Sequence, residues 1–143
     1  MNVVWGVVVV TLSVLAWGGQ ALSWLAPTIA VRWKLMEAED DVEPTFWADV
    51  RAEARWDTLT LWTMAAAGAL LITDVDAWAY FGLVGGGMYL YFGGRGILAR
   101  AAMARRGLRI GSPQSVRVGV FFLAVWAVMA LVTIVAAIVS IEG

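Results

Sequence analysis

The sequence has no cysteine and no histidine among its 143 residues. Without cysteine there are no disulfide bonds, thiolate nucleophiles or cysteine-held metal clusters. Without histidine the chain lacks the commonest general base near neutral pH and the usual ligand of haem and zinc. We therefore expect no cofactor and no metal, and a non-catalytic protein is favoured over an enzyme because no nucleophile–base pair is visible.

Charged side chains are also scarce, at 15% of the chain, where a typical soluble domain has about 25%. Hydrophobic residues make up 62% and are collected into long uncharged blocks. Such blocks are typical of membrane-spanning helices rather than of the core of a globule. The sequence therefore predicts an all-α integral membrane protein with a single domain over residues 1–143.

Four segments, uncharged except for Arg95 near the end of the third, predict four transmembrane helices in an antiparallel bundle. Their expected bounds are about 3–31, 58–73, 77–99 and 118–141. A cytoplasmic loop and amphipathic helix over 32–57 follow the first span, and this helix is expected to continue unbroken into the second. A basic loop over 100–117 precedes the fourth span. Pro27 is expected to kink the first helix or to mark its last turns.

The basic residues are unevenly distributed along the chain. All ten lysines and arginines lie in the two longer polar stretches or at their borders, and none lies near either terminus. Lysine and arginine are enriched in the cytoplasmic loops of membrane proteins, whatever the net charge of those loops. We therefore expect both of these loops in the cytoplasm and both termini outside, in a bacterial inner membrane.

The third segment is rich in glycine, with seven glycines from Gly82 to Gly96. Small residues let neighbouring helices approach the backbone closely, so this span is the expected centre of packing. The glycines assigned to helix packing are Gly82, Gly85, Gly86, Gly87 and Gly93. Tyr89, Tyr91 and Gln20 are candidates for lining a cavity, and hydrogen bonding within the bundle is the alternative.

A polar layer is expected where the second span begins and the third span ends. Asp57 and Arg95 should lie at similar depth because a tight turn joins these two spans. We expect Asp57 with Arg95, or Glu53 with Arg95 or Arg100, to form an ion pair, since unpaired charges near a membrane are costly. Two interpretations stay open: a salt-bridge network that docks the acidic first loop on the basic third loop, and a pocket for a lipid headgroup or small anion.

Membrane lipids are the expected partners of the basic loop. Attraction of Arg100–Arg109 to anionic headgroups is worth about 1 kcal/mol per residue near the surface. Nucleic acid is not expected, because the loop has no interleaved aromatic residues. The carboxylates of Asp49, Glu53 and Asp57 share one helix face and resemble a cation site, but the basic loop is close enough to neutralise them.

Two classes of function follow from these patterns. The first is a non-catalytic accessory subunit of a larger membrane complex, or a homo-oligomeric scaffold, that packs through the glycine-rich third span. The second is a carrier or pore that binds a lipid or small molecule at the cytoplasmic end of the second and third spans. The uncharged first span argues against small multidrug exporters, and the missing histidine argues against haem-anchoring subunits.

Overall fold

A computed structural model describes residues 2–143, and these residues form helices and connecting turns without any β-strand. The all-helical class predicted from the sequence is confirmed. A short 3₁₀ turn covers Glu39–Asp41. The six α-helices are α1 (Asn2–Leu25), α2 (Pro27–Arg32), α3 (Pro44–Thr60), α4 (Trp62–Ile72), α5 (Trp78–Arg105) and α6 (Pro113–Glu142).

Two of these helices, α1 and α6, are long and apolar enough to cross a membrane. Helix α4 has only 11 residues, and α5 has 28 residues but includes arginines and many glycines. Length and composition of the described helices therefore support two membrane-crossing helices, where the sequence predicted four.

The first predicted span is divided into two helices. Helix α1 ends at Leu25, Ala26 leaves the helical conformation with φ −140° and ψ 63°, and α2 starts at Pro27. Proline has no N–H to donate and clashes with the preceding turn inside a helix, whereas it fits the first position of a new one. The expectation of one helix over 3–31 is corrected accordingly.

The predicted unbroken helix from the first loop into the second span is also interrupted. Leu61 separates α3 from α4, although it keeps helical dihedral angles of φ −70° and ψ −16°. Its N–H still donates to the Asp57 carbonyl at 2.8 Å. The break is therefore confined to one residue.

The last two helices are longer than the predicted spans. Helix α5 continues through Arg105, and α6 begins at Pro113. The Ser112 side chain caps α6 by accepting a hydrogen bond from the Ser115 N–H at 3.1 Å. Serine is a favoured N-cap residue because its hydroxyl accepts from an N–H of the first helical turn.

Helix α5 packs between α4 and α6, and its glycines make both contacts possible. A Cβ added at Gly85 would lie 2.7 Å from the Met64 Cα on α4, and one at Gly93 would lie 2.6 Å from the Leu123 carbonyl oxygen on α6. A Cβ at Gly86 would lie 2.5 Å from Ile134. A side chain at Gly85 or Gly93 would meet backbone atoms and force the helices apart, whereas one at Gly86 would displace the Ile134 side chain.

A second pair of glycines joins α1 to α4. A Cβ at Gly68 would lie 2.9 Å from the Gly6 carbonyl oxygen, and one at Gly6 would lie 2.7 Å from Ile72. Neither glycine belongs to the glycine-rich segment, and neither was predicted as a helix-packing position. Close packing in this bundle is therefore shared between the α5 contacts and the α1–α4 contact.

Candidate functional site

Five charged residues form what we call the ion cluster, between α3 and α5. Helix α3 supplies Asp49, Glu53 and Asp57, which are spaced by four residues and so share one face. Helix α5 supplies Arg95 and Arg100 from its C-terminal half. The structure thus brings together all four residues of the predicted polar layer, and adds Asp49.

Arg95 is the centre of the ion cluster. Its Nη2 lies 2.5 Å from Asp49 Oδ1, and its Nη1 lies 3.0 Å from Glu53 Oε1. Of the three alternative ion pairs predicted, the structure forms Glu53 with Arg95. The pair of Asp57 with Arg95 is not formed in the described chain, because both terminal nitrogens of the guanidinium already face Asp49 and Glu53.

Arg100 is half-buried and contacts groups of its own chain. Its Nη1 donates to the Gly96 carbonyl at 3.1 Å, and its Cζ lies 5.6 Å from the centre of the Phe46 ring. This distance is within the range of a cation–π interaction. Burial lowers the pKa of Arg100, and the carboxylates of Glu53 and Asp49 act in the opposite direction.

Asp57 is the most deeply buried member of the ion cluster. The residue is only 4% exposed, and its Oδ2 has no hydrogen-bond partner among the described residues. Burial raises the pKa of Asp57 to about 8, with Glu53 adding to the rise and Arg95 opposing it. Burial also raises the pKa of Glu53, and its ion pair with Arg95 opposes that rise.

The charges of the ion cluster do not balance when every group is ionised. Asp49 and Glu53 are matched by the two arginines, and an ionised Asp57 leaves one negative charge in excess. An isolated buried carboxylate is strongly disfavoured, and it usually takes up a proton. The ion pairs can therefore hold α3 and α5 together, while Asp57 stays protonated and neutral.

The acidic and basic loops meet beside the ion cluster. The Glu43 N–H donates to the Arg109 carbonyl at 2.8 Å, and the two side chains approach to 3.7 Å. Val42, Phe46 and Ile110 are buried together at this contact. The docking of the two loops expected from their opposite charge is thus present, and apolar burial accompanies it.

The three residues proposed to line a cavity differ in their exposure. Tyr89 is fully buried, packs against Phe92 and donates its hydroxyl to the Ser13 carbonyl at 2.8 Å. Tyr91 is exposed, and Gln20 is half-buried. The Tyr89 position is therefore filled by the bundle, which corresponds to the hydrogen-bonding alternative.

An open groove lies elsewhere, between the two loops. Its volume is about 660 Å³, and Leu108, Arg109, Pro113 and Arg117 are among the residues that line it. The groove is shallow, and Asp41 of the acidic loop lines it together with the two arginines.

Several hydrogen bonds from other helices to carbonyls of α1 were not predicted from the sequence. Arg51 Nη1 donates to the Ser23 carbonyl and, at 3.1 Å, to the Trp24 carbonyl. Trp126 Nε1 donates to the Leu12 carbonyl at 2.9 Å. The break before Pro27 was the available signal, because a helix that ends leaves its last carbonyls unpaired and a cation is favoured there.

Comparison with known proteins adds no assignment: the chain matches no protein-family model, no curated protein and no solved structure.

Proposed function

We propose that this chain is an integral membrane protein that acts as a non-catalytic accessory subunit or as a homo-oligomeric scaffold. The observation that carries the proposal is the apolar outer surface of α1 and α6. Large side chains on the second half of α6 are between 43% and 64% exposed: Val128, Leu131, Val132, Val135, Ile138 and Val139. A continuous apolar surface of this kind requires lipid or another protein to cover it.

The four-span arrangement is part of this proposal. Helix α5 would rise about 42 Å over its 28 residues, enough to cross a hydrocarbon core of roughly 30 Å. It packs along α6, and α4 packs along both α1 and α5. If α1 and α6 lie in a bilayer, α4 and α5 lie in it as well, because they pack along these two helices. The charge distribution then favours cytoplasmic loops, with both termini outside a bacterial inner membrane.

A subunit or scaffold role is favoured because side chains of the chain itself fill the centre of the bundle. Tyr89, Leu61 and Met64 are fully buried at the centre of the bundle. Most α5 glycines contact α4 or α6 of the same chain, whereas Gly87 and Gly94 have no atom within 4 Å of an added Cβ. The outer face of α5 is therefore the surface that we assign to a second copy or to a partner subunit.

Mass spectrometry of the protein in gentle detergent tests the assignment. We expect two or more copies, or a stoichiometric partner chain, and we expect Gly87→Leu to reduce that association. Ser140→Leu adds similar bulk to the exposed face of α6 and serves as the matched control. A monomer without partners, or equal effects of the two substitutions, would contradict the proposed role of α5.

The alternative is a carrier or pore that binds a lipid or small molecule at the cytoplasmic end of the second and third spans. The Arg95 guanidinium has little hydrogen-bonding capacity left for such a ligand, because its terminal nitrogens already pair with Asp49 and Glu53. The open groove between the loops is the observation that favours a lipid contact. Retained anionic lipid in the same mass spectra, lost in Arg109→Gln, would support it, whereas retention unchanged by this substitution would exclude the groove.

A further inference from the structure

We propose that Asp57 is a proton-binding site, in which a neutral carboxylic acid is held at the inner end of the ion cluster and releases its proton only when the cluster is disturbed or the pH is high. The inference is separate from the subunit role proposed above. It rests on the burial of Asp57, on its unpartnered oxygen and on the charges that surround it.

The surroundings of Asp57 offer no cation that is free to pair with it. On its own helix, Glu53 lies one turn away and is negative. On α5, Arg95 is shared between Asp49 and Glu53, and Arg100 is held by the Gly96 carbonyl and the Phe46 ring. The Tyr89 hydroxyl donates its hydrogen bond to the Ser13 carbonyl.

Helices α1, α4 and α6 contribute no charge near Asp57. Helices α1 and α4 contain no ionisable side chain, and the charged residues of α6 are Arg117 and Glu142 at its two ends. A proton is therefore the ligand that fits best, because it neutralises the excess negative charge without needing space. A larger cation would need several oxygen ligands, and two of the three carboxylates already face Arg95.

Infrared difference spectroscopy of the whole chain in detergent measures this proton directly. A protonated side-chain carboxyl has a carbonyl stretch that is separate from that of carboxylates. We expect this band in the wild-type protein at neutral pH, and we expect it to disappear under strongly alkaline conditions. Asp57→Asn should remove the band, and Asp76→Asn, at an exposed turn, should leave it unchanged.

Two further measurements separate Asp57 from the other acids. Glu53→Gln should leave the band in place; its loss in Glu53→Gln, with retention in Asp57→Asn, would overturn the assignment to Asp57. Wild-type protein labelled with heavy carbon in the aspartate carboxyl needs no variant to fold, and its band should shift. A wild-type spectrum without a protonated carboxyl at neutral pH would overturn the proposal outright.

Discussion

Arg95 determines which carboxylates of the ion cluster are neutralised. Its guanidinium is a planar fork, and the two terminal nitrogens are taken by Asp49 and Glu53. Asp57 lies a full turn further along α3 and meets no free donor there. Taking up a proton removes the cost of a buried unpaired charge at this position.

Replacement of Asp57 by asparagine should change how stability depends on pH. The pKa of Asp57 is raised by burial to about 8 in the folded chain, from an unfolded value of about 4. Between these values the unfolded chain releases a proton that the folded chain keeps, so the contribution of Asp57 is complete below about pH 4 and is lost as the pH rises to about 8.

We therefore expect Asp57→Asn to unfold at a higher temperature than the wild-type protein near pH 8, by an amount on the order of a few degrees. The difference should shrink as the pH is lowered towards 5. Thermal unfolding in detergent across this pH range measures it, with Asp76→Asn as the control. A difference that does not vary with pH would contradict the assignment.

At the scale of helices, glycine position decides whether a side chain is tolerated on α5. The inward glycines meet backbone atoms of a neighbour, as Gly85 meets Met64, while Gly87 faces open space. Sequence alone indicated that α5 would pack closely. It could not assign each glycine to a neighbour, because that depends on the rotation of the helix in the bundle.

Alanine substitutions at two α5 glycines should have opposite effects. Gly85→Ala would place its Cβ 2.7 Å from the Met64 backbone, and the resulting overpacking should cost roughly 1–3 kcal/mol. Gly87→Ala meets nothing within 4 Å and should stabilise the monomer by about 0.5–1 kcal/mol through higher helix propensity. Chemical or thermal unfolding of the two variants in detergent checks both signs. The measurement uses protein dissociated to monomers, because we assign the Gly87 face to a second copy or a partner. Destabilisation of the monomer by both variants would contradict the outward position of Gly87.

At the scale of the whole molecule, charge separates the two ends of the bundle. One end has the docked loops and every lysine and arginine of the chain, and the other has the two termini and the turn between α4 and α5. Part-buried hydrogen bonds join helices that are distant in sequence: Trp126 of α6 donates to Leu12 of α1, and Arg51 of α3 donates to Trp24 of α1. The orientation that we propose makes this charged end cytoplasmic.

Single cysteines test this orientation cleanly because the chain has none of its own. Asp76→Cys lies at the exposed turn before α5, and Arg106→Cys lies at the exposed end of α5. We expect a membrane-impermeant thiol reagent to label Asp76→Cys in intact cells. Arg106→Cys should react only after the membrane is opened. The reverse pattern would invert the proposed topology.

The sequence by itself determined the helical class, the segregation of basic charge and the attraction between the two loops. Each of these follows from residue type and order: long uncharged blocks, an excess of arginine in two stretches, and acidic residues in the loop that faces them. The tertiary structure decided how those parts are used. The break before Pro27, the pairing of Arg95 with Glu53 and Asp49, and the isolation of Asp57 depend on how α3 and α5 are rotated and displaced against each other. Linear spacing does not specify these quantities, because several rotations place the same residues on facing helices and only side-chain packing selects one of them.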